Sequence, residues 1–457
     1  MITHNLGYPR IGNNRELKKA CENYWAGKIS SEQLIQTGAE LRKKNWQIQK
    51  ELGLDLIPSN DFSFYDQVLD MSLMLGVIPA RYDHLKKGIQ NAELDLYFAM
   101  ARGYQKEGFD NTAMEMTKWF DTNYHYIVPE FLQNQKFELF SMKVIDELLE
   151  AKKMGFVTKH VLIGPVSFLM LGKEKEKNFD KLDLLSNILP VYLEILSRLA
   201  IHGAEWIQMD EPFLAMDLSQ KGKESFRFAY TKIRKAFPKL KILLATYFEG
   251  LRDNTELAIQ LPVDAIHLDL VRAPEQLEAF LSVIPDKLLI SLGIVDGRNV
   301  WKNNFENSLK LIQSAVDKVG ENRVMIAPSC SLIHSPCDLE METNETILPT
   351  QIKEWLAFAR QKIDEVVTLK QLAVPTKMND SKKAKLLENQ QAILTRKTSK
   401  LIHNDKVRER VKNIKKIESL NRNPYAVRKQ KQQKNLNLPP FPATTIGSFP
   451  QTSEVRS

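Results

Sequence analysis

Short apolar runs alternate with longer amphipathic stretches from the N-terminus to about Asn344. Most of these runs are continuous stretches of Val, Ile and Leu, the pattern typical of parallel strands buried on both faces. The stretches between them have helical spacing of apolar residues, as in residues 182–202. The candidate strands are residues 4–8, 55–59, 123–128, 160–164, 206–209, 242–247, 265–268, 288–293 and 324–327.

Repeated strand–helix units of this length predict either a doubly wound sheet or an α/β barrel. No GxGxxG or Walker motif follows a candidate strand, which disfavours a nucleotide-binding sheet. Nine candidates are one too many for eight barrel positions, and we place the aromatic-rich run 123–128 outside. We therefore predict an α/β fold with a TIM-like (β/α)8 barrel over residues 1–350.

The strand patterns stop at residue 351, and helical patterns follow. Apolar pairs at roughly heptad spacing predict two amphipathic helices separated near His403, with Asn404 as N-cap of the second. Residues 351–436 are therefore predicted to form a helical connector. A proline-rich joint at 435–442 cannot continue a helix, so residues 437–457 are predicted as a linker and the start of another domain.

The amino-acid composition indicates the general class of protein. With 43% hydrophobic and 26% charged residues, the chain resembles an ordinary soluble protein. We found no apolar run near the ~18 residues of a membrane span and no secretory signal at the N-terminus. The cysteines are few and odd in number (Cys21, Cys330 and Cys337), which favours a reducing compartment. We expect a cytoplasmic protein with no membrane partner.

Charge is concentrated in the connector. Residues 374–436 hold 18 Lys/Arg against 5 Asp/Glu, a local balance of +13, whereas the whole chain carries +8. This segment fits a solvated helical face, a site that attracts a polyanionic ligand, or a nucleic-acid-binding surface. The last hypothesis lacks the interleaved aromatic residues of single-strand binders, since Tyr425 is the lone aromatic residue before Phe441.

Two groups of residues could carry chemistry at the ends of predicted strands. Asp210 and Glu211 follow a strand at the end where barrel enzymes keep their active sites, so they could act as acid and base or form a structural ion pair. His267 and Asp269 share one face of another strand and are expected to be hydrogen-bonded core residues.

A third group is a weak metal-site candidate. Cys330, His334 and Cys337 crowd the end of the last strand with a C-x3-H-x2-C spacing. Convergent partners at the other strand ends are poor, so structural cysteines are the preferred interpretation. A self-sufficient barrel enzyme using Asp210, Glu211 and Cys330 stays open as an alternative.

An anion site is suggested near the N-terminus. Asn13 or Asn14 could cap a helix that runs through Trp25, and Arg15 and Lys18 lie one turn apart near its start. Free N–H groups and two cations at a helix start favour anionic ligands, although a solvated helix start has the same pattern.

Several segments resemble the cobalamin-independent methionine synthase family. After the proline-rich joint, TIGSFP (445–450) also echoes NLGYP (5–9), as expected of a duplicated barrel. The segments that carry the resemblance are LGYPRIG (6–12), RELKKA (15–20), YWAG (24–27), DFSFYD (61–66), MEMTKWFDTNYHY (114–126), GPVS (164–167), QMDEP (208–212) and APSCSL (327–332).

The resemblance implies two face-to-face barrels joined by a helical segment, with the second barrel absent from this sequence. It implies transfer of the methyl group of 5-methyltetrahydropteroyltri-L-glutamate to L-homocysteine, giving L-methionine, with zinc and without cobalamin. The zinc ligands and the general acid are expected in the missing half, so we expect the fragment to be inactive alone. A monomer is expected, with no nucleic acid bound.

The resemblance also assigns binding residues. It implies that Arg15, Glu16, Leu17, Lys18 and Lys118 contact the folate polyglutamate. It further implies that Ile446, Gly447 and Ser448 hold homocysteine or methionine through backbone groups. Cys330 then looks like a relic of an ancestral ligand set, because Thr246 and Phe248 stand where the catalytic repeat has a His and a Cys.

Overall fold

The computed structural model describes residues 1–86, 92–106, 108–374, 380–414, 421–444, 452 and 454. These residues divide into two compact units, Met1–Arg396 and Lys397–Ser457. The first contains the barrel. In the second, the described helices are short and exposed.

Eight parallel strands form the barrel, and this confirms the predicted fold. Each strand pairs with its neighbours in a single sheet, and a parallel bridge between His4 and Leu56 joins the first barrel strand to the second, which closes the ring. The barrel strands are β1 (Ile2–Thr3), β2 (Ile57–Ser59), β8 (Thr158–Ile163), β10 (Trp206–Asp210), β11 (Lys241–Ala245), β12 (Ala265–Asp269), β13 (Leu289–Val295) and β14 (Val324–Pro328).

The aromatic-rich run at 123–128 lies outside the barrel, as predicted. Its strand pairs with Met116–Lys118 in an antiparallel hairpin rather than with a barrel strand. The strands outside the barrel are β3 (Tyr104–Lys106), β4 (Phe109–Asn111), β5 (Met116–Lys118), β6 (His125–Ile127), β7 (Glu130–Phe131) and β9 (Lys173–Glu174).

Helices surround the barrel and cover the outer faces of its strands, so both faces of each strand are buried. The helices in the described residues are α1 (Glu16–Trp25), α2 (Ser31–Glu51), α3 (Gln67–Met74), α4 (Ala92–Arg102), α5 (Lys143–Lys153), α6 (Pro165–Leu171), α7 (Leu185–Ile201), α8 (Gln220–Ala236), α9 (Thr255–Gln260), α10 (Gln276–Val283), α11 (Phe305–Val319), α12 (Thr350–Lys353), α13 (Ala359–Leu372), α14 (Asp380–Thr398), α15 (Asp405–Asn413) and α16 (Tyr425–Leu436).

The inside of the barrel is layered. Strand side chains alternate between the helices and the interior, so residues two apart stack along the barrel axis. The N-terminal layer is apolar and includes Trp206, Leu243 and Met325. The next layer is polar, with Gln208 and His267 fully buried. The C-terminal half of the interior is therefore built from hydrogen-bonded polar groups.

The helix predicted at residues 182–202 is present, but its length and apolar character were not recognised in the sequence. Lys181–Ile201 is long and apolar enough by composition to cross a membrane. In this structure half of its most apolar window is buried, and α7 packs against α5, α6 and α8 around the barrel. Its apolar residues thus form part of the barrel's helical layer.

The predicted connector helices are present. Helix α13 packs against β14 on the barrel, and α14 ends at Thr398. The next helix starts where predicted, since the Asn404 side chain accepts hydrogen bonds from the backbone N–H groups of Lys406 and Val407. The proposed domain boundaries at residues 350 and 436 stay predictions.

Candidate functional site

The loop that follows β1 is fixed at the C-terminal end of the barrel. The backbone N–H of Tyr8 donates to Asp61 Oδ2 at 2.8 Å, and that of Leu332 donates to the Gly7 carbonyl at 2.9 Å. A Cβ atom at Gly7 would lie 2.5 Å from Ser331 Oγ, so a larger residue there would force the Ser331 hydroxyl to move. These contacts hold the chain that leads to Arg15.

Helix α1 begins one residue later than the asparagine-cap prediction requires. Arg15 is the N-cap, with φ of 60°, and no side chain caps the helix. The Glu16 carboxylate instead accepts the backbone N–H of Asn14 at 2.9 Å. The predicted caps Asn13 and Asn14 were therefore wrong, because the helix begins after Arg15 and the Leu17 N–H donates to the Ile11 carbonyl at 3.2 Å. The helix reaches Trp25, as predicted.

The four predicted contact residues of this segment have different environments. Arg15 and Lys18 are exposed, and the Lys18 ammonium lies 3.7 Å from the Glu22 carboxylate. An exposed pair of this kind contributes little, so Lys18 remains available to a ligand. Leu17 is buried and anchors the helix, and Glu16 is half-buried. The segment therefore presents two cations on a fixed backbone.

Lys118 is the last residue of β5 and is exposed. Its hairpin is held across the barrel mouth by the tip residue Asp121. The Asp121 carboxylate pairs with Arg272, which follows β12, and with Arg298, which follows β13, at 2.8 Å in the second case. Both arginines lie beyond the C-terminal ends of their strands. The two ion pairs fix the tip of the hairpin that carries Lys118.

Aromatic packing reinforces this anchor. Phe120 has φ of 54°, and its ring contacts those of Phe213 and Phe248 at centroid distances of 5.4 and 5.6 Å. Trp119 beside it is buried. A non-glycine residue with positive φ is held in place only when its surroundings determine it, which here is the packing of its ring.

Arg10 connects the hairpin to the N-terminal loop. Its guanidinium donates to the Tyr124 hydroxyl and to the Tyr65 carbonyl. Tyr124 belongs to the hairpin and Arg10 precedes Arg15 by five residues. The structure thus brings the loop leading to Arg15 and Lys18 against the Lys118 hairpin, at the C-terminal face of the barrel.

The barrel mouth beneath the hairpin is closed. The cavity there measures about 10 Å³, a space for about one water molecule. Its lining includes Asp210 and a set of rings from the loops above the strands, namely Trp119, Tyr124, Tyr247, Phe248 and His334. Most of the space in which a barrel enzyme would hold its substrate is therefore filled by side chains.

Asp210 and Glu211 do not lie together as an acid–base pair, which was one of the two alternatives that the sequence left open. Asp210 accepts hydrogen bonds from Gln208 Nε2 at 2.7 Å and from the Tyr247 hydroxyl at 3.0 Å, inside the barrel. Glu211 accepts from the backbone N–H of Ser167 at 2.8 Å and the Tyr230 hydroxyl at 2.9 Å, among the outer helices. The separation follows from strand alternation, which sends neighbouring side chains to opposite faces.

Lys159 completes a buried polar network that the sequence analysis missed. Its ammonium donates to the Asn5 carbonyl at 3.0 Å and to Gln208 Oε1, and Gln208 in turn donates to Asp210. Burial lowers the pKa of Lys159 and raises that of Asp210, while each charge favours the other. The available signal was a lysine directly before the predicted strand 160–164.

His267 and Asp269 are buried and hydrogen-bonded, as predicted, but with other partners than each other. His267 Nδ1 lies 2.8 Å from Ser291 Oγ, and its Nε2 lies 3.1 Å from the Ser329 carbonyl. Asp269 accepts the backbone N–H groups of Phe248, Val271 and Arg272. Both residues stabilise loops at the barrel mouth.

Cys330, His334 and Cys337 do not form a metal site. No group of three or more His, Cys, Asp or Glu in the described ranges is placed to hold a metal ion. Burial raises the pKa of the Cys330 thiol, raises that of Cys337 to about 11 and lowers that of His334 to about 4. Thiols held protonated are poor metal ligands. The residues present therefore do not fit a zinc ion.

The predicted homocysteine contacts, Ile446, Gly447 and Ser448, lie outside the described residues. Their role stays a prediction.

Comparison with known proteins identifies the family. A family described as cobalamin-independent synthase, N-terminal domain, matches residues 2–320. The chain belongs to this family. The structure of this chain is also similar in fold to a solved vitamin-B12-independent methionine synthase from Listeria monocytogenes, with a TM-score of 0.54 and 14% sequence identity. The superposition covers 81% of this chain and 98% of that chain.

Two curated relatives are similar to this chain over its entire length. They come from Flavobacterium johnsoniae (59% identity) and Cytophaga hutchinsonii (55% identity), and both are named 5-methyltetrahydropteroyltriglutamate–homocysteine methyltransferase. The alignments cover 100% of this chain and 59% of each relative. The chain thus spans well under two thirds of the length of these relatives.

Proposed function

We propose that this chain is the folate-side barrel of a cobalamin-independent methionine synthase. The whole synthase transfers the methyl group of 5-methyltetrahydropteroyltri-L-glutamate to L-homocysteine and forms L-methionine, as a cytoplasmic monomer. The observation that carries the proposal is the pair of cationic segments at the C-terminal barrel face, Arg15–Lys18 and the hairpin bearing Lys118. The names of the full-length relatives support the reaction.

The role of these cations follows from the charge of the substrate. A polyglutamate tail carries several carboxylates, and exposed ammonium and guanidinium groups bind carboxylates through charge-assisted hydrogen bonds. Arg15 and Lys18 would contact the tail from one side and Lys118 from the hairpin. The anchored backbone at Gly7 and the Asp121 ion pairs keep these groups in place, which lowers the entropic cost of binding.

Chemistry is assigned to the rest of the synthase. A zinc ion would be held by residues outside this chain, where the resemblance places them, and no step is assigned to the residues of this barrel. The self-sufficient-enzyme alternative is disfavoured by geometry, since Asp210 and Glu211 point apart and the barrel mouth holds about one water.

The first prediction concerns the 457-residue chain alone. We expect no methyl transfer from the triglutamate substrate to homocysteine, with or without added zinc, because the zinc ligands and the general acid are expected outside this chain. The measurement is methionine formation by the purified chain, with the whole synthase as positive control. Zinc-stimulated turnover by the chain would contradict the assignment and return attention to Cys330, His334 and Cys337.

The second prediction tests the tail site. Lys118→Ala in the whole synthase should raise KM for the triglutamate substrate about five- to tenfold, since one exposed charge-assisted contact contributes about 1 kcal/mol. The effect should be smaller for the monoglutamate and should shrink at high salt. Steady-state kinetics with both substrates at two ionic strengths provides the measurement.

Lys106 supplies the matched control, because it is another exposed lysine on a short hairpin strand. Lys106→Ala should leave both KM values unchanged. Equal losses for the mono- and triglutamate substrates in Lys118→Ala would mean that Lys118 holds the pterin or the fold, and the tail-site assignment would then be wrong.

A further inference from the structure

A cavity of about 370 Å³ lies outside the barrel, away from the proposed folate site. Helices α13 and α14 form part of its wall, together with the segments around Lys302 and Leu339. Its size is within the range of small-molecule sites. Neither the methyl transfer nor the tail site uses any of its residues.

Glu365 lines this cavity and lacks a partner for one oxygen. The side chain is 5% exposed, and one carboxylate oxygen, Oε1, accepts the backbone N–H of Asn303 at 2.8 Å. The other, Oε2, is buried and has no hydrogen-bond donor among the described residues. A buried carboxylate oxygen without a donor is costly, so a donor supplied by a ligand would be favourable.

The cavity has an excess of negative charge. The Lys353 ammonium lies 3.8 Å from the Glu340 carboxylate, and the Lys385 ammonium lies 3.3 Å from the Asp364 carboxylate. Within each pair the two charges therefore cancel. Among the described residues, the charged groups that line the cavity are five carboxylates (Glu340, Glu354, Asp364, Glu365 and Glu388) and three ammonium groups (Lys302, Lys353 and Lys385). A cationic ligand would restore the balance.

The remaining wall and the positions of the acids narrow the ligand class. Phe305, Leu339 and Leu356 provide an apolar surface. Throughout the part of the chain that the structure describes, no three acids, histidines or cysteines converge as metal ligands would. The site therefore suits a cation with N–H donors and an alkyl portion.

We propose that this cavity binds a small organic cation, a primary ammonium or guanidinium on a short alkyl chain, whose N–H groups donate to Glu365. The alkyl portion packs on Phe305 and Leu356, and the charge is balanced by Glu365 and Glu388. This site is separate from the proposed methyl-transfer function and does not depend on it.

Calorimetric titration of the 457-residue chain tests the proposal, with n-butylammonium, 1,4-diaminobutane and agmatine as probes. We expect saturable one-to-one binding of at least one probe and no binding of the neutral analogue 1,4-butanediol. Glu365→Gln should weaken binding about tenfold, which is the loss of one charge-assisted hydrogen bond. Glu342→Gln, an exposed acid outside the lining, should leave it unchanged.

A second variant keeps the test independent of folding at Glu365. Glu388 is exposed on α14, so Glu388→Gln should fold normally and weaken binding about two- to fivefold. Binding of all probes weaker than about 10 mM would overturn the proposal. Binding that is unaffected by both variants would overturn it as well, since the cation would then lie elsewhere.

The pH dependence gives a further readout. Burial raises the pKa of Glu365 to about 7, with Lys362 and Lys302 lowering it and Asp364 raising it. Lys385 and Glu388 face the cavity from α14. A cation binds the ionised carboxylate more tightly than the neutral one, so affinity should rise about tenfold in total as the pH rises through about 7. A flat profile in the wild-type chain would contradict the role of Glu365.

Discussion

Asp210→Ala should lower the free energy of unfolding of the barrel by about 3–5 kcal/mol, the usual cost of leaving a buried charge without its partner. Lys159 is fully buried, and the structure connects it to Asp210 through Gln208. Alanine at position 210 would also leave the Tyr247 hydroxyl without its acceptor. Urea denaturation followed by circular dichroism measures the loss.

Two further variants separate this effect from simple truncation. Asp183→Ala removes an exposed partner of Lys221 and should cost less than about 1 kcal/mol. Lys159→Met combined with Asp210→Ala removes both charges. The double variant should therefore lose less free energy of unfolding than the sum of the losses in the two single variants. Additive losses would show that Lys159 and Asp210 do not interact through the network.

This network explains how the barrel can be stable without an open active site. The polar side chains of its interior layer hydrogen-bond to one another. Lys159, Gln208 and Asp210 do so on one side, and His267 and Ser291 on the other. Rings then close the mouth above them. The C-terminal face is thereby left as a rigid support for the Arg15 segment and the Lys118 hairpin, which fits a binding role.

The barrel could be predicted because its signal is local. A strand covered by helices outside and by interior layers inside must be apolar over most of its length, and continuous runs such as 242–247 record this. The limits of strands were less predictable. The run 4–8 leaves the sheet after His4, because the backbone of Tyr8 bonds to Asp61 and that of Gly7 to Leu332.

The anchors of the candidate site could not be predicted in this way. Asp121 pairs with Arg272 and Arg298, which lie 151 and 177 residues further along the chain. No local pattern in the sequence indicates a contact of this kind. The left-handed conformation of Arg15 has no sequence signal either, since arginine has no preference for positive φ. Arg15, Lys18 and Lys118 were selected through the family resemblance, and the structure adds how their backbones are held.

The sequence could not decide between the two alternatives for Asp210 and Glu211 for a similar physical reason. Adjacent acids at a strand end resemble a catalytic pair when only their sequence positions are considered. Adjacent residues in an extended strand point to opposite faces, so the two carboxylates stabilise different layers of the barrel. A spacing of two, as for His267 and Asp269, is what places side chains on the same interior face.

The stability of the barrel should fall in acid because of the buried His267. Burial lowers the pKa of His267 from 6.5 to about 4, partly opposed by its hydrogen bond to the Ser329 carbonyl. The unfolded chain therefore binds a proton at this residue between pH 6.5 and 4, whereas the folded chain does not. The stability that neutral His267 contributes is fully present above pH 6.5 and is lost as the pH falls towards 4. The loss amounts to about 3 kcal/mol.

His267→Gln should remove this pH dependence. At pH 7 the variant should be less stable by about 1–3 kcal/mol, because its contacts with Ser291 and Ser329 are disturbed. The gap should then close by about 3 kcal/mol as the pH is lowered to 4, because only the wild-type protein loses the histidine contribution, while other titrating groups affect both proteins alike. Urea denaturation at several pH values measures the gap, and His125→Gln, at an exposed ring of the hairpin, is the control. Parallel stability curves for wild type and His267→Gln would mean that water reaches the barrel interior, and the closed mouth inferred above the polar layer would then be wrong.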